Sequence, residues 1–274
     1  MMIHDTYEQM KQRLLIPSII LAMAVQTMAL LAAPCAARDE ADNSTPEKEL
    51  DMFIAHADVS PYYMEVPEFQ GRGILLDVLK ALVEPLNYTV TVNRLPDKRG
   101  WQMLENGELS VYASAREWVA QPDKFLWTDP FMLNEDVLLF RADSILEYTK
   151  PEDLYGKTVA GIKDFVYPAL EPHFGPGMIT RLDTTSPDVM LKLLSFGRAD
   201  AVLVNHTEIL WMFRNRPEIR PELFRLEKPP FDRAWFRFLF PKGHGWEPVV
   251  EQINHRLKVM KEDGSLKAIL DQYR

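Results

Sequence analysis

Cysteine is nearly absent from this chain: Cys35 is the single one in 274 residues. An internal disulfide needs two cysteines and a thiolate zinc site needs more, so neither holds this fold together. The histidines (His4, His56, His173, His206, His244 and His255) are scattered, with no pair at metal-ligand spacing. There is no glycine-rich phosphate loop and no nucleophile elbow. No Ser/His/Asp constellation is legible, although such sites need not be local in sequence. No metal, cofactor or catalytic residue is therefore assigned. Positive charge is also in short supply: 31 Lys and Arg stand against 40 Asp and Glu, a net charge of −9. That balance argues against nucleic acid or an anionic membrane as partner.

Apolar residues make up 47% of the chain and charged residues 26%, enough for a sizeable core without unusual patterning. The N-terminus reads as an export signal. Lys11 and Arg13 precede a nearly apolar run from Leu14 to Ala33, and Cys35-Ala-Ala37 places small residues where a signal peptidase reads them. Residues 1–37 are thus expected to be a signal peptide cleaved after Ala37. Both Met1 and Met10 are candidate initiators, because Asp5 and Glu8 suit a basic leader poorly. An uncleaved membrane anchor is the competing reading of the apolar run. Residues 38–47 are polar and charged, and read as a flexible leader.

The rest of the chain alternates strand and helix. Met52–Ala55 reads as a first strand, followed by Ser60-Pro-Tyr62-Tyr63. Ile74, Leu75, Val78, Leu79, Leu82 and Val83 fall at helical spacing, and Tyr88, Val90 and Val92 alternate with polar residues as in a half-buried strand. A third strand is expected around Leu109–Ala113. Further on, Thr158–Ile162, Met178–Leu182 and Ala201–Val204 read as strands. Between the last two, Ser186-Pro-Asp opens a helix whose apolar face is Val189, Leu193 and Leu194, and Gly197 ends it. Val137–Phe140 and Ala234–Phe240 are apolar strands flanking this second unit. Pro248 opens a tail helix with Val249, Ile253, Leu257 and Met260 on one face, and Gly264-Ser265 starts another. Such alternation argues for parallel sheets with a ligand crevice at the carboxyl ends of the strands. Asn205 and His206 lie at such an end. So do Arg99 and Arg116, each just after a strand, where a guanidinium can grip a carboxylate with two parallel hydrogen bonds. Tyr62, Tyr63, Trp118 and Tyr167 follow strand ends and suit an aromatic wall.

The segments Asp153-Leu-Tyr-Gly-Lys-Thr-Val-Ala-Gly161 and Met190-Leu-Lys-Leu-Leu-Ser-Phe-Gly-Arg-Ala-Asp-Ala-Val-Leu-Val-Asn205 resemble the second lobe of bacterial extracytoplasmic solute-binding proteins. The most similar group is family 3, which includes the polar amino-acid binding proteins of ABC importers. The stretches beginning at Gly73, Leu104, Lys124 and Ile253 fall in the same family order. The resemblance implies an α/β, two-lobed, type II periplasmic-binding-protein fold, each lobe a mainly parallel sheet flanked by helices, joined by two crossover strands. Lobe 1 would be 48–138 plus 238–274, and lobe 2 would be 139–237. It implies a periplasmic, monomeric, non-enzymatic protein. It would close like a hinge on a small polar, carboxylate-bearing molecule, an amino acid or organic acid, for an inner-membrane ABC permease or a sensor. The chain departs from the group twice. Lys124 stands nearest the group's carboxylate-binding arginine, so Arg116 is expected to take that role. The group's α-amino-binding aspartate falls on Asn205, which has no charge for an ammonium. Two other readings remain. One is an exported dehydratase-like enzyme on the same fold, with Glu117 as its acid or base. The other is a ligand-sensing adaptor for a membrane kinase. Asp200 is expected to be a structural hydrogen-bonding residue.

Overall fold

The computed structural model describes residues 48–54, 60–64, 71–163 and 165–274. The expected signal peptide (1–37) and leader (38–47), and the choice between Met1 and Met10, lie outside the described residues. The first strand, β1 (Lys48–Ile54), pairs in parallel with β2 (Tyr88–Arg94) across the helix α1 (Ile74–Val83). Helix α1 buries Ile74, Leu76, Val78, Leu79, Leu82 and Val83, as its spacing predicts. Its first turn has no side-chain cap. Instead the loop before it supplies acceptors: Ile74 N donates to Pro61 O and Leu75 N to Tyr62 O. Helix α2 (Asp97–Glu105), β3 (Tyr112–Ala115) and β4 (Phe125–Trp127) follow.

Two ten-residue strands run through the middle, β5 (Met132–Arg141) and β10 (Asp232–Pro241). They pair antiparallel, with Asp232 opposite Asp136 and Phe236 opposite Met132. Between them in sequence come β6 (Thr158–Ile162), α3 (Glu171–Phe174), β7 (Thr180–Thr184), α4 (Pro187–Ser195), β8 (Ala201–Asn205), α5 (His206–Asn215) and β9 (Phe224–Leu226). The tail forms α6 (Glu247–Glu262) and α7 (Ser265–Asp271). The larger sheet has the order β3-β10-β5-β8-β6-β7, with β6 parallel to both β7 and β8.

The cores divide the molecule into two lobes. One core joins β1, α1, α6 and α7 with Met132, Phe236, Phe238 and Phe240; a smaller one beside it is built on Phe53, Leu104, Leu109, Phe125 and Leu239. The other lobe packs on both faces of the β5–β8–β6 sheet. Met132 belongs to the first lobe's core and Val137 to the second's, so β5 changes lobes between them. Strand β10 changes between Phe231 and Phe236.

Some sequence expectations shift. The strand expected at Leu109–Ala113 lies at Tyr112–Ala115. Ser110 N and Val111 N both donate to Asp51 O, so this earlier stretch runs beside β1 with only a bridge between Met52 and Val111. Ser114, within β3, is buried, with its hydroxyl donating to Ala115 O. The strand expected at Met178–Leu182 is β7, two residues later, because Met178 sits in the turn and is 46% exposed. The buried face of α4 is Met190, Leu191 and Leu194, while Val189 is exposed. Its start is as expected: Ser186 Oγ accepts from Val189 N. Asp200 also does what was expected of it, since Thr158 N donates to its carboxylate and its own N donates to Thr158 O.

Candidate functional site

Strands β5 and β10 carry polar residues at the level where they pass from one core to the other. Asn134, Glu135 and Asp136 interrupt the apolar run of β5, and Asp232 opens β10. The loop after β1 and the end of β8 converge on this point from opposite lobes. The Tyr62 hydroxyl lies 2.6 Å from Asn205 Oδ1 and 3.1 Å from Asn134 Oδ1, sharing one proton between two acceptors. Tyr62 is 5% exposed, and its ring packs on Phe236 of β10 with centroids 5.4 Å apart. Burial pushes its hydroxyl far above the ordinary tyrosine range, so it is a donor at every physiological pH.

Asn205 is held on every side. Its Oδ1 also accepts from Glu208 N, which caps α5. Its Nδ2 donates to Asn134 Oδ1 at 2.7 Å and lies 3.3 Å from both Asp136 Oδ1 and Glu135 O. Asn134 Nδ2 points to Asp136 Oδ1 as well, at 3.3 Å. The Asp136 carboxyl is pushed up to about 6, first by burial and then by Asp232 across the strand pair. Asp232 is raised too, by burial and by Glu117. The His206 ring is lowered, chiefly by burial.

The other sequence-derived candidates spread around this centre. Tyr167 is 5% exposed; its hydroxyl accepts from Ile162 N, and Arg181 lies over its ring at 5.3 Å. That guanidinium is already committed to Glu171, Asp183, Ile162 O and Phe165 O. Trp118 is 40% exposed and meets Phe236 edge to face at 5.5 Å. Tyr63 is buried in the first core with Arg94 over its ring. Arg116 begins a short 3-10 turn after β3 and donates to Asp123 Oδ1 at 2.6 Å, with both side chains at least half exposed. Lys124 pairs with Glu105 at 2.7 Å. Arg99 lies on the exposed side of α2 rather than at a strand end.

The site therefore brings Tyr62 and Asn205 together by way of residues that sequence reasoning missed, Asn134 and Asp136, with Asp232 opposite Asp136; Trp118 adjoins it only through Phe236, and Tyr167 packs on Phe231. The available signal was three successive polar residues, Asn134 to Asp136, inside an otherwise apolar strand. The arrangement links donors and acceptors of both lobes at one polar point. Among the described residues no cluster of three His, Cys, Asp or Glu could hold a metal ion, and no helix is long and apolar enough to cross a membrane.

No protein-family model matches the chain, and no curated protein does. Solved structures match it over nearly their whole length. A histidine kinase sensor domain with similarity to periplasmic binding proteins has a TM-score of 0.66 at 18% identity, covering 83% of this chain and 96% of that one. The ligand-binding core of GluR0 in complex with L-glutamate has a TM-score of 0.65 at 16% identity, covering 84% and 99%. A mutant of ArgBP from T. maritima has a TM-score of 0.63 at 18% identity, covering 82% and 94%. At such identities the likeness is one of architecture. With the two cores and the paired crossover strands described above, it establishes that this chain has the two-lobed α/β fold of the periplasmic binding proteins.

Proposed function

We propose that the protein is an exported solute-binding protein that captures a small polar molecule between its lobes, for an ABC-type importer of the inner membrane. The lobe limits expected from sequence, 48–138 plus 238–274 and 139–237, fall inside the two crossover strands, and the cores put the changes a few residues earlier in each. The observation that carries this reading is the convergence of Tyr62, Asn134, Asn205 and Asp136 from two lobes on one polar point at the crossover strands. An inter-lobe polar centre with aromatic neighbours is the usual setting of a small-molecule site. The charges nearby favour a zwitterion over a dianion. Asp232 raises Asp136 and Glu117 raises Asp232, so a second carboxylate here would be repelled, whereas an amino acid brings its own ammonium. No chemistry is proposed for the site. The kinase sensor domain supports a second reading, in which the same capture event informs a membrane kinase rather than a permease.

A thermal-shift screen of the exported protein against amino acids and small organic acids tests the reading. A solute at a hundredfold excess over its dissociation constant adds about 2.7 kcal/mol, well within reach of a melt. No shift with any compound, with the protein folded throughout, would sink it. For localisation, the expected result is a periplasmic protein whose first residue is Arg38 by mass spectrometry; a full-length chain in the inner membrane would refute cleavage after Ala37.

Of the two arginines, Arg116 is the proposed carboxylate anchor, since it directly follows β3 beside Trp118. Arg116→Ala should weaken binding of a solute found in the screen by roughly ten- to thirtyfold, and Arg116→Lys should weaken it as well, because an ammonium lacks the two-pronged geometry. Arg99→Ala should stay within about threefold, the range of a solvated surface charge. Calorimetry giving the opposite order would move the anchor to Arg99.

A further inference from the structure

We propose that Tyr62 is a latch that holds the two lobes closed through contacts the protein makes with itself, so that a captured solute stabilises a closed form that already exists. The proposal rests on the two-lobed capture reading and extends it to the mechanism of closure. Three observations carry it. First, the Tyr62 hydroxyl belongs to the first lobe, and its acceptors are Asn205 at the end of β8 in the second lobe and Asn134 on a crossover strand. The hydrogen bond at 2.6 Å therefore spans the junction of the two lobes. Second, Asn205 has no spare capacity. Its carbonyl serves Tyr62 and the first turn of α5, and its amide serves Asn134 and Asp136. A ligand ammonium directed at Asn205 would have to displace the Tyr62 hydroxyl, so Asn205 acts on closure rather than as a ligand group. Third, a separate apolar contact joins the same lobes. Trp211, on α5 of the second lobe, packs on the first lobe's core and lies 6.0 Å from the ring of Tyr273, at the C-terminal end of the chain. Polar and apolar contacts thus brace α5 at its start and near its middle.

A two-state hinge with contacts of its own needs less from its ligand. Whatever free energy the latch supplies need not come from differential solute binding. Removing the hydroxyl should lower the closed population and, with it, the apparent affinity, which scales with the competent fraction. Tyr62→Phe is the discriminating change, because it keeps the ring against Phe236 and removes only the donor.

The test is a pair of spin labels on exposed cysteines, Lys98→Cys in the first lobe and Lys192→Cys in the second, introduced into the exported protein from Arg38 onward, which has no cysteine of its own. Pulsed dipolar spectroscopy without added solute should give one short, narrow inter-lobe distance. Adding Tyr62→Phe should move a majority of molecules to longer distances, and Trp211→Ala should do so independently. A near-unchanged melting temperature would separate loss of the latch from loss of fold. If the distance distribution of Tyr62→Phe coincides with that of the parent, or if the parent is already broad without solute, the latch is refuted. The capture reading would then still stand or fall on the thermal-shift screen, which does not depend on where the resting population lies.

Discussion

Replacing Gly73 by alanine should cost roughly 3–5 kcal/mol of stability and abolish solute capture, the largest loss expected from any single methyl group here. Gly73 sits between Arg72 and the first residue of α1 at a φ of 138°, a region that side-chain-bearing residues rarely adopt. A Cβ built there would lie 2.5 Å from Tyr62 O and 2.7 Å from Tyr63 Cα. Both contacts are with backbone, so no side-chain rotation relieves them. The same Tyr62 carbonyl accepts from Leu75 N, and Gly73 N itself donates to the Tyr273 hydroxyl. The methyl group therefore strikes where the loop carrying Tyr62, the uncapped start of α1 and the C-terminal end are tied together. Relief requires the loop to move, which takes the hydroxyl away from Asn205. A melting temperature lower by about 10 °C is expected for a domain of this size. Gly71→Ala is the control: its φ of 74° is also positive, but nothing lies within 4 Å of the added Cβ. It should lose only about 1 kcal/mol from backbone strain. Equal losses for the two variants would show that the close approach at Gly73 is unimportant.

The contrast between local and distant information explains what the sequence disclosed. Helix α1 and strand β2 fall where their periodicities put them, because every residue of Ile74–Val83 and Tyr88–Arg94 reports on its own element. Strand β6 and the apolar face of α6 were legible for the same reason. Strand β3 was displaced because Leu109 and Val111 are buried without being part of a ladder: Ser110 N and Val111 N both donate to Asp51 O, and Phe53 N donates to Val111 O, which gives one bridge to β1 and no continuous pairing. Apolar content marks burial, and burial alone does not identify a strand. The polar centre was less accessible still. Tyr62 and Asn205 are 143 positions apart, and Asp136 and Asp232 meet only because two long strands pair in one register. Asn205 could be placed at a strand end from sequence, but its partners could not. Arg116, placed at a strand end from sequence, meets Asp123, seven residues later, through the short 3-10 turns at Arg116–Trp118 and Pro122–Lys124.

Asp136→Asn should stabilise the protein by up to about 3 kcal/mol at pH 7.5, and the gain should vanish on acidification. The carboxyl of Asp136 is raised from 3.8 to about 6 by burial, then by Asp232. A raised carboxyl means that the folded state holds its proton more tightly than the unfolded chain does. The group's contribution is thus fully present below the unfolded value near 4 and is lost as pH rises through about 6. Above that, the buried charge costs about 1.4 kcal/mol for each unit of displacement, which for this shift is roughly 3 kcal/mol. Asparagine keeps an acceptor for the Asn134 and Asn205 amides and carries no charge toward Asp232. His206 works in the opposite direction over part of this window, because a lowered imidazole loses stability as pH falls through its unfolded value. For that reason the informative quantity is the difference between variant and parent, in which His206 cancels. The variant should melt roughly 5–10 °C higher at pH 7.5, with the difference closing between pH 6 and pH 4. Acidic solution would then favour the same network that joins Tyr62 to Asn205, since protonating Asp136 removes its repulsion with Asp232 at the crossover strands. A melting difference that is flat with pH would mean that Asp136 does not titrate in this window. A destabilised variant at pH 7.5 would mean that its charge is required to orient the Asn205 amide toward the latch.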